Sequence, residues 1–174
     1  MKPIADDVLF REEQRFDRGW FWLIILTAGL PIATIFGLGL WQQLGRGIPF
    51  GTNPVDDGAL IAISIVAFAI AGAVAWLMAA ARLETEVRRG ILSLRYRPFH
   101  RMTIPVSRIV RSEVRRYRPI AEFGGWGIRY GFGAGWAWNV SGTMGVQLEL
   151  ENGRKILVGS QRPDELNAAL ARAR

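Results

Sequence analysis

The chain has 174 residues and no cysteine, which excludes a disulfide framework, a thiolate nucleophile and a cysteine-based metal site. One histidine, His100, is too few for a histidine-rich metal centre. The net charge of +7 is unevenly spread: from Arg82 onward 17 Lys/Arg stand against 8 Asp/Glu, giving +9, whereas the preceding part carries −2; a basic segment of this kind suits an anionic lipid surface, and no nucleic-acid reading motif accompanies it.

Residues 1–19 form a short charged arm punctuated by Val8, Leu9, Phe10 and Phe16. Leu9, Phe16 and Trp20 share a helical face, which fits an interfacial lead-in, and an ordinary solvated arm fits the same residues. Two uncharged runs follow, Trp20–Trp41 and Ala59–Ala81, separated by residues 42–58. At about 1.5 Å rise per residue each is long enough for a hydrocarbon core of roughly 30 Å. The runs predict a transmembrane hairpin over 20–81, with Trp20, Trp22 and Trp41 as interface anchors. A cleaved signal peptide is disfavoured by Asp6, Asp7, Glu12, Glu13 and Asp17 ahead of the first run. Pro31 removes one helical hydrogen bond and predicts a kink or a loosened turn.

Orientation follows from the basic residues. Lys2, Arg11, Arg15 and Arg18 precede the first run, and Arg82, Arg88, Arg89, Arg95 and Arg97 follow the second, while the loop holds only Arg46. The positive-inside rule predicts a multi-pass protein of the cell (inner or plasma) membrane with both termini cytoplasmic. Small residues recur at helical spacing as Gly29, Ala33 and Gly37 on the first run and Ala67, Ala71, Ala75 and Ala79 on the second. Such stripes let backbones approach closely in lipid. They fit packing of the two helices on each other, self-association into a homo-oligomer, or simply the abundance of alanine in membrane helices.

From Arg82 the period changes to two. Leu83, Thr85 and Val87 alternate with Glu84, Glu86 and Arg88, a turn follows at Arg89-Gly90, and Leu92, Leu94 and Tyr96 resume the alternation until Pro98. Strands are predicted at His100 to Ile104 and Ile109 to Tyr117. In a strand, Arg111 and Arg115 share a face with Glu113, and Arg116 and Arg118 take the other. The tract from Phe123 to Gly145 interleaves Trp126, Trp136 and Trp138 with Gly124, Gly125, Gly127, Gly131, Gly133 and Gly135, which suits bent or bulged strands. Val146, Leu148 and Leu150 then lead through Asn152-Gly153, a strong hairpin signal, to a return strand at Lys155 to Gly159. Pro163, Asp164 and Glu165 open a C-terminal helix with Leu166, Leu170 and Ala173 on its apolar face.

About seven short antiparallel strands closed by one C-terminal helix resemble a pleckstrin-homology-like (PH-like) barrel at 82–174. Two spans ahead of it, together with Phe10-Arg11-Glu12-Glu13-Gln14-Arg15-Phe16, Gly125-Trp126-Gly127-Ile128-Arg129 and the segment from Val158 to Leu166, resemble bacterial PH-like membrane proteins of unknown function. The resemblance implies structural signatures and no reaction. Some eukaryotic PH domains bind inositol phosphates through a basic residue on the first strand and a basic-x-basic triplet on the second; Arg88 or Arg89 followed by Arg95-Tyr96-Arg97 is similar, with a shorter loop between. Juxtamembrane positive charge accounts for the same four residues.

No catalytic, cofactor-binding or metal-binding set is apparent. Ser141 and Ser160 lack a nucleophile elbow or an identifiable base, and Glu113 and Glu122 have basic neighbours that make them surface ion-pair partners. The expectation is a non-enzymatic module at the cytoplasmic face that binds a protein partner, with anionic lipid headgroups as the alternative ligand.

Overall fold

A computed structural model describes residues 8–16 and 19–174, without the side chains of Trp20, Phe21 and Ile24. Lys2, Asp6, Asp7, Asp17 and Arg18, and the anchoring role of Trp20, therefore lie outside the described residues. The chain divides into two compact units, Asp17–Ala79 and the remainder.

In the first unit, helix α1 (Gly19–Leu40) runs without a break through Pro31 and continues as a π turn at Trp41–Gly45. Helix α2 spans Asp57–Ala80. Two stretches, Ile25–Gly45 and Asp57–Ala80, are long and apolar enough to cross a membrane. The π turn carries Gln42 and Gln43, which hold the connecting loop by polar contacts that sequence periodicity does not reveal. Gln43 Nε2 donates to Val55 O and to Asp57 Oδ1, both at 2.8 Å, and its Oε1 accepts from Phe50 N at 3.2 Å. The Phe50 ring lies so close to Gly39 that a Cβ there would come within 3.0 Å of it. Asp56 Oδ1 accepts from Ala59 N at 3.0 Å and satisfies one of the free donors at the start of α2.

The second unit is a two-sheet β domain. The first sheet has the order β1-β2-β3-β4 and the second β5-β8-β9-β7-β6. The strands are β1 (Val8–Arg15), β2 (Arg82–Arg88), β3 (Ile91–Arg97), β4 (His100–Pro105), β5 (Ile109–Arg116), β6 (Gly127–Gly131), β7 (Gly135–Asn139), β8 (Met144–Leu150) and β9 (Lys155–Gly159), with short helix α3 (Pro119–Phe123) and terminal helix α4 (Pro163–Arg172). All pairings are antiparallel except β7 with β9.

The arm expected at 1–19 is corrected by β1. Val8–Arg15 is a strand paired with β2, Arg15 opposite Arg82 and Phe10 opposite Val87. Its inward positions are Phe10, Glu12 and Gln14, all buried. Two of the three are polar, so the apolar alternation that marks a half-buried strand is missing from the sequence. The β domain is consequently discontinuous, with the apolar helices inserted between its first and second strands.

Elsewhere the predicted alternation is realised. Leu83, Val87, Leu92, Leu94 and Tyr96 of the first sheet meet Trp138, Val146, Leu148, Ile156 and Val158 of the second in one core, which Leu166, Ala169, Leu170 and Ala173 of α4 complete. Nine strands among the described residues replace the seven or so expected, because β1 is added and the glycine-rich tract folds into a hairpin, β6–β7. That hairpin and α3 cover Leu157 and Ala137 with Tyr117 and Phe123, a second small core. Glycine is required at Gly135 and Gly145, where a Cβ would meet Lys155 O at 2.2 Å and Val158 O at 2.5 Å. The glycines of the tract thus serve close approach of strands as well as bending.

Candidate functional site

The four arginines singled out from sequence lie on one hairpin but at opposite ends of it. Arg88 pairs in register with Ile91 and Arg97 with Arg82, six residues apart along β2, which is about 20 Å at strand rise. Because β1 is the true first strand, Arg95-Tyr96-Arg97 occupies the third strand of the sheet, not the second. Arg88 forms a salt bridge with Glu86, and Arg97 Nε lies 2.8 Å from Glu84. Arg89 belongs to the turn. Glu84 and Glu86 on central β2 lie among Arg11, Arg82, Arg95 and Arg97, so the outward face of this sheet is an arginine lattice around a carboxylate row. On β1, Arg15 Nε donates to Glu13 at 2.8 Å and holds that carboxyl below its ordinary pKa.

Arg101, which sequence reading passed over, joins that face. It stands directly opposite Arg95 on the β3–β4 ladder, with Thr103 opposite Ser93 one step further along the face. Only the strand register, invisible in sequence, brings these residues together.

The three motifs that carry the PH-like resemblance converge on one buried polar seam. Ser160 Oγ donates to Glu12 Oε2 at 2.6 Å and Gln161 N donates to Glu12 Oε1 at 2.8 Å. Ser160 Oγ in turn accepts from Arg162 N at 3.0 Å. Gln14 Nε2 donates to Gly159 O at 2.7 Å. The Arg162 guanidinium lies over the Phe10 ring, 4.9 Å from its centroid, and donates to Arg11 O at 2.7 Å. From the third motif, Gly127 N donates to Asn139 Oδ1 at 2.9 Å, and Asn139 packs against Gly159. Ser160 and Glu12 are both buried, so this pair fastens the first strand to the start of α4 and presents no reacting atom to solvent. Ser141 Oγ accepts from Gln161 Nε2 at 3.4 Å.

Two tyrosines flank the seam. Burial raises the Tyr117 phenol to about 12, opposed by the neighbouring Asn139 amide and the Arg115 guanidinium, although neither Tyr117 OH nor Asn139 Nδ2 completes a hydrogen bond. Burial likewise raises Tyr96 to about 12 against the pull of Arg129. His100 lies against Trp138 with ring centroids 5.7 Å apart.

On the second sheet Arg111 NH2 donates to Glu113 at 2.8 Å, and Arg115 NH1 donates to Glu122 at 2.8 Å, so both carboxylates sit in ion pairs. Burial works against ionisation of Glu122, but Arg118 N and Arg115 outweigh it and the carboxyl stays below its ordinary pKa. The tryptophans divide. Trp138 is core, Trp126 Nε1 donates to Gly142 O at 3.3 Å, and Trp136 is exposed on β7 in edge contact with Tyr130 at 5.5 Å. At the tip of the same hairpin Phe132 is 101% exposed. Tyr130 and Trp136, with Gly133, Gly135, Arg154 and Lys155, line a cleft of ≈ 350 Å³.

In the apolar helices the less exposed face of α1 runs through Ile25, Gly29, Ile32 and Phe36, and that of α2 through Leu60, Ser64, Ala67, Ala71 and Ala75. Ala33, Gly37 and Ala79 are exposed, and a Cβ at Gly29 or Gly37 would meet nothing within 4 Å. Phe36 and Phe68 make an edge contact between the helices with centroids 6.3 Å apart. Among the described residues no group of three or more His, Cys, Asp or Glu is placed to hold a metal ion. No protein-family model matches the chain, and no curated protein matches it.

Proposed function

We propose that this chain is a two-span membrane protein whose PH-like β domain serves as a binding module for a protein partner at the cytoplasmic face of the cell membrane. The observation that carries the reading is the register of β1 with β2. Arg15, just before the first apolar helix, stands opposite Arg82, just after the second. Strands on either side of a membrane hairpin can pair only if the chain crosses twice and returns to the same face. The scarcity of basic residues in the connecting loop, where Arg46 stands alone, favours the cytoplasm as that face.

The PH-like assignment is supported by strand order. A four-stranded antiparallel meander is followed by β5, β8 and β9 and then by α4, with α3 and the β6–β7 hairpin as an insertion. For the partner, the fully exposed Phe132 and the cleft that joins Tyr130 and Trp136 to Arg154 and Lys155 favour a protein segment with an apolar side chain beside acidic ones.

The absence of cysteine makes the test direct. Cysteine at Thr52 in the loop should react with an impermeant thiol reagent from outside intact cells, and cysteine at the exposed turn residue Asn152 should react only after permeabilisation. The reverse pattern overturns the orientation, and labelling of both positions from the same side of the membrane would overturn the hairpin itself. A photo-crosslinker at Phe132 should give a discrete adduct in native membranes that disappears when Arg154 and Lys155 are changed to Glu. Persistence of that adduct would refute the charge-complementary partner.

A further inference from the structure

We propose that Arg95 and Arg101 form a binding site for a phosphate oxyanion at the membrane surface, with the Phe99 ring as its apolar neighbour. The proposal rests on the membrane-anchored reading for the position of the site, and on the β3–β4 register for its chemistry.

Arg95 and Arg101 are directly opposed on the outward face of the ladder. Opposed side chains on neighbouring strands have Cβ atoms about 4.5–5.5 Å apart, and like charges there repel. The remedy found elsewhere on this sheet is a carboxylate, but β4 supplies none. The cross-strand neighbour of Arg95 on its other side is Glu84, already 2.8 Å from Arg97. Neither Arg95 nor Arg101 forms an ion pair or hydrogen bond with a described residue. An anion between them would relieve the repulsion, and the planar donor forks of two arginines match the oxygens of a phosphate. Ser93 and Thr103, opposed on the next rung of the same face, add two hydroxyl donors.

Position gives that chemistry a source. Arg15, Arg82 and Arg97 form one row across β1, β2 and β3. Arg82 stands two residues after Ala80, the last residue of α2, so a span ending there keeps this end of the sheet within roughly 8 Å of chain from the bilayer surface. Phe99, 55% exposed in the β3–β4 turn, projects from that same end and rests on Tyr96 with centroids 6.1 Å apart. An apolar ring at the acyl boundary beside cations at the phosphate level is the arrangement interfacial segments use.

The test uses the full chain in nanodiscs, with an environment-sensitive fluorophore on a single cysteine at Phe99 and, separately, at Ile65 on the exposed face of α2. Quenching by headgroup spin-labelled lipid is read in zwitterionic discs, in discs containing phosphatidylglycerol or phosphatidic acid, and in zwitterionic discs titrated with inorganic phosphate. With a lipid source, anionic discs quench the probe at residue 99, and Arg95→Gln with Arg101→Gln raises the anionic fraction needed by about tenfold or more, at about 1 kcal/mol per cation. A response to inorganic phosphate alone, equally lost in that double variant, supports the site with a soluble ligand. Arg108→Gln with Arg172→Gln, which removes the same charge at two exposed positions elsewhere on the domain, should change neither response. If both double variants act alike, or if the residue 99 probe responds to no phosphate while Ile65 reports a buried helix, the site is refuted and the anchored reading stands. If Ile65 reports water, the anchored reading fails, and the inorganic phosphate arm alone decides the site.

Discussion

Replacing Ser160 by alanine should loosen the β domain far more than removal of one hydroxyl from a surface would. The Ser160 hydroxyl donates to a buried carboxylate at 2.6 Å and accepts from Arg162 N at 3.0 Å. A hydrogen bond to a charged group contributes about 1.5–3 kcal/mol, and leaving the Arg162 donor unpaired adds about 1 kcal/mol. The expected loss is therefore about 3 kcal/mol, which for a domain of this size lowers the melting midpoint by about 10–20 °C. The assay is near-ultraviolet circular dichroism of the full chain in detergent, where the signal of core Trp138 reports the β domain. Glu12→Ala and the double variant complete a thermodynamic cycle, and coupling of about 2 kcal/mol between the two positions should appear. A shift under about 2 °C for Ser160→Ala, or strict additivity, would mean that Glu12 is solvated and that β1 is not fastened to the start of α4 as described.

Other outcomes follow from the same contacts. Gly135→Ala should break the parallel pairing of β7 with β9, because its Cβ would meet Lys155 O at 2.2 Å at a residue with φ of +84°; overpacking of this kind typically costs about 1–3 kcal/mol, read as a lowered melting midpoint. The raised phenol of Tyr117 contributes stability that is complete below its ordinary pKa of 10.0 and lost as pH rises toward about 12, so Tyr117→Phe should flatten alkaline unfolding in that window, and an unchanged profile would refute its burial. Glu122 has a depressed pKa in the folded chain, so its stabilisation is present above 4.5 and lost as pH falls below it; Glu122→Gln should flatten the acid limb of a stability–pH profile, and an equally steep limb would refute the Arg115 contact. Gln43→Ala should free the loop beyond the π turn, seen as faster proteolysis between Arg46 and Asp56, and an unchanged rate would show that its contacts to Val55 and Asp57 do not hold the loop.

Much of the fold is legible wherever a strand buries one face in an apolar core. The Leu83–Val87, Leu92–Tyr96 and Val146–Leu150 alternations fall at the right residues because each inward position but Thr85 is apolar. The turn at Asn152-Gly153 is equally plain, since Gly153 takes a positive φ of 74° that few other residues tolerate. Strand β1 fails the same test for a physical reason. Its inward face buries Glu12 and Gln14, whose hydrogen-bond partners Ser160, Gln161 and Gly159 lie about 145 residues away. A polar residue that finds its partner through tertiary structure carries no local signal, and the period of two is lost.

The candidate surfaces show the same division between pattern and pairing. Arg88, Arg89, Arg95 and Arg97 lie close together along the chain, yet the register separates Arg88 from Arg97 by six rungs and gives each of those two a carboxylate. Arg101 looks unremarkable beside His100 until β4 pairs with β3 and sets it against Arg95. Charge in a strand acquires chemical meaning from the residue opposite, so an arginine count predicts attraction to an anionic surface, while the pairing decides which guanidinium groups are already neutralised. On the outward face of this sheet the carboxylates are Glu13 on β1 and Glu84 and Glu86 on β2, with none on β3 or β4, so their reach stops at β3. Whatever anion the domain meets will therefore find open guanidinium groups toward the β4 edge before it competes with Glu84 or Glu86 for the rest.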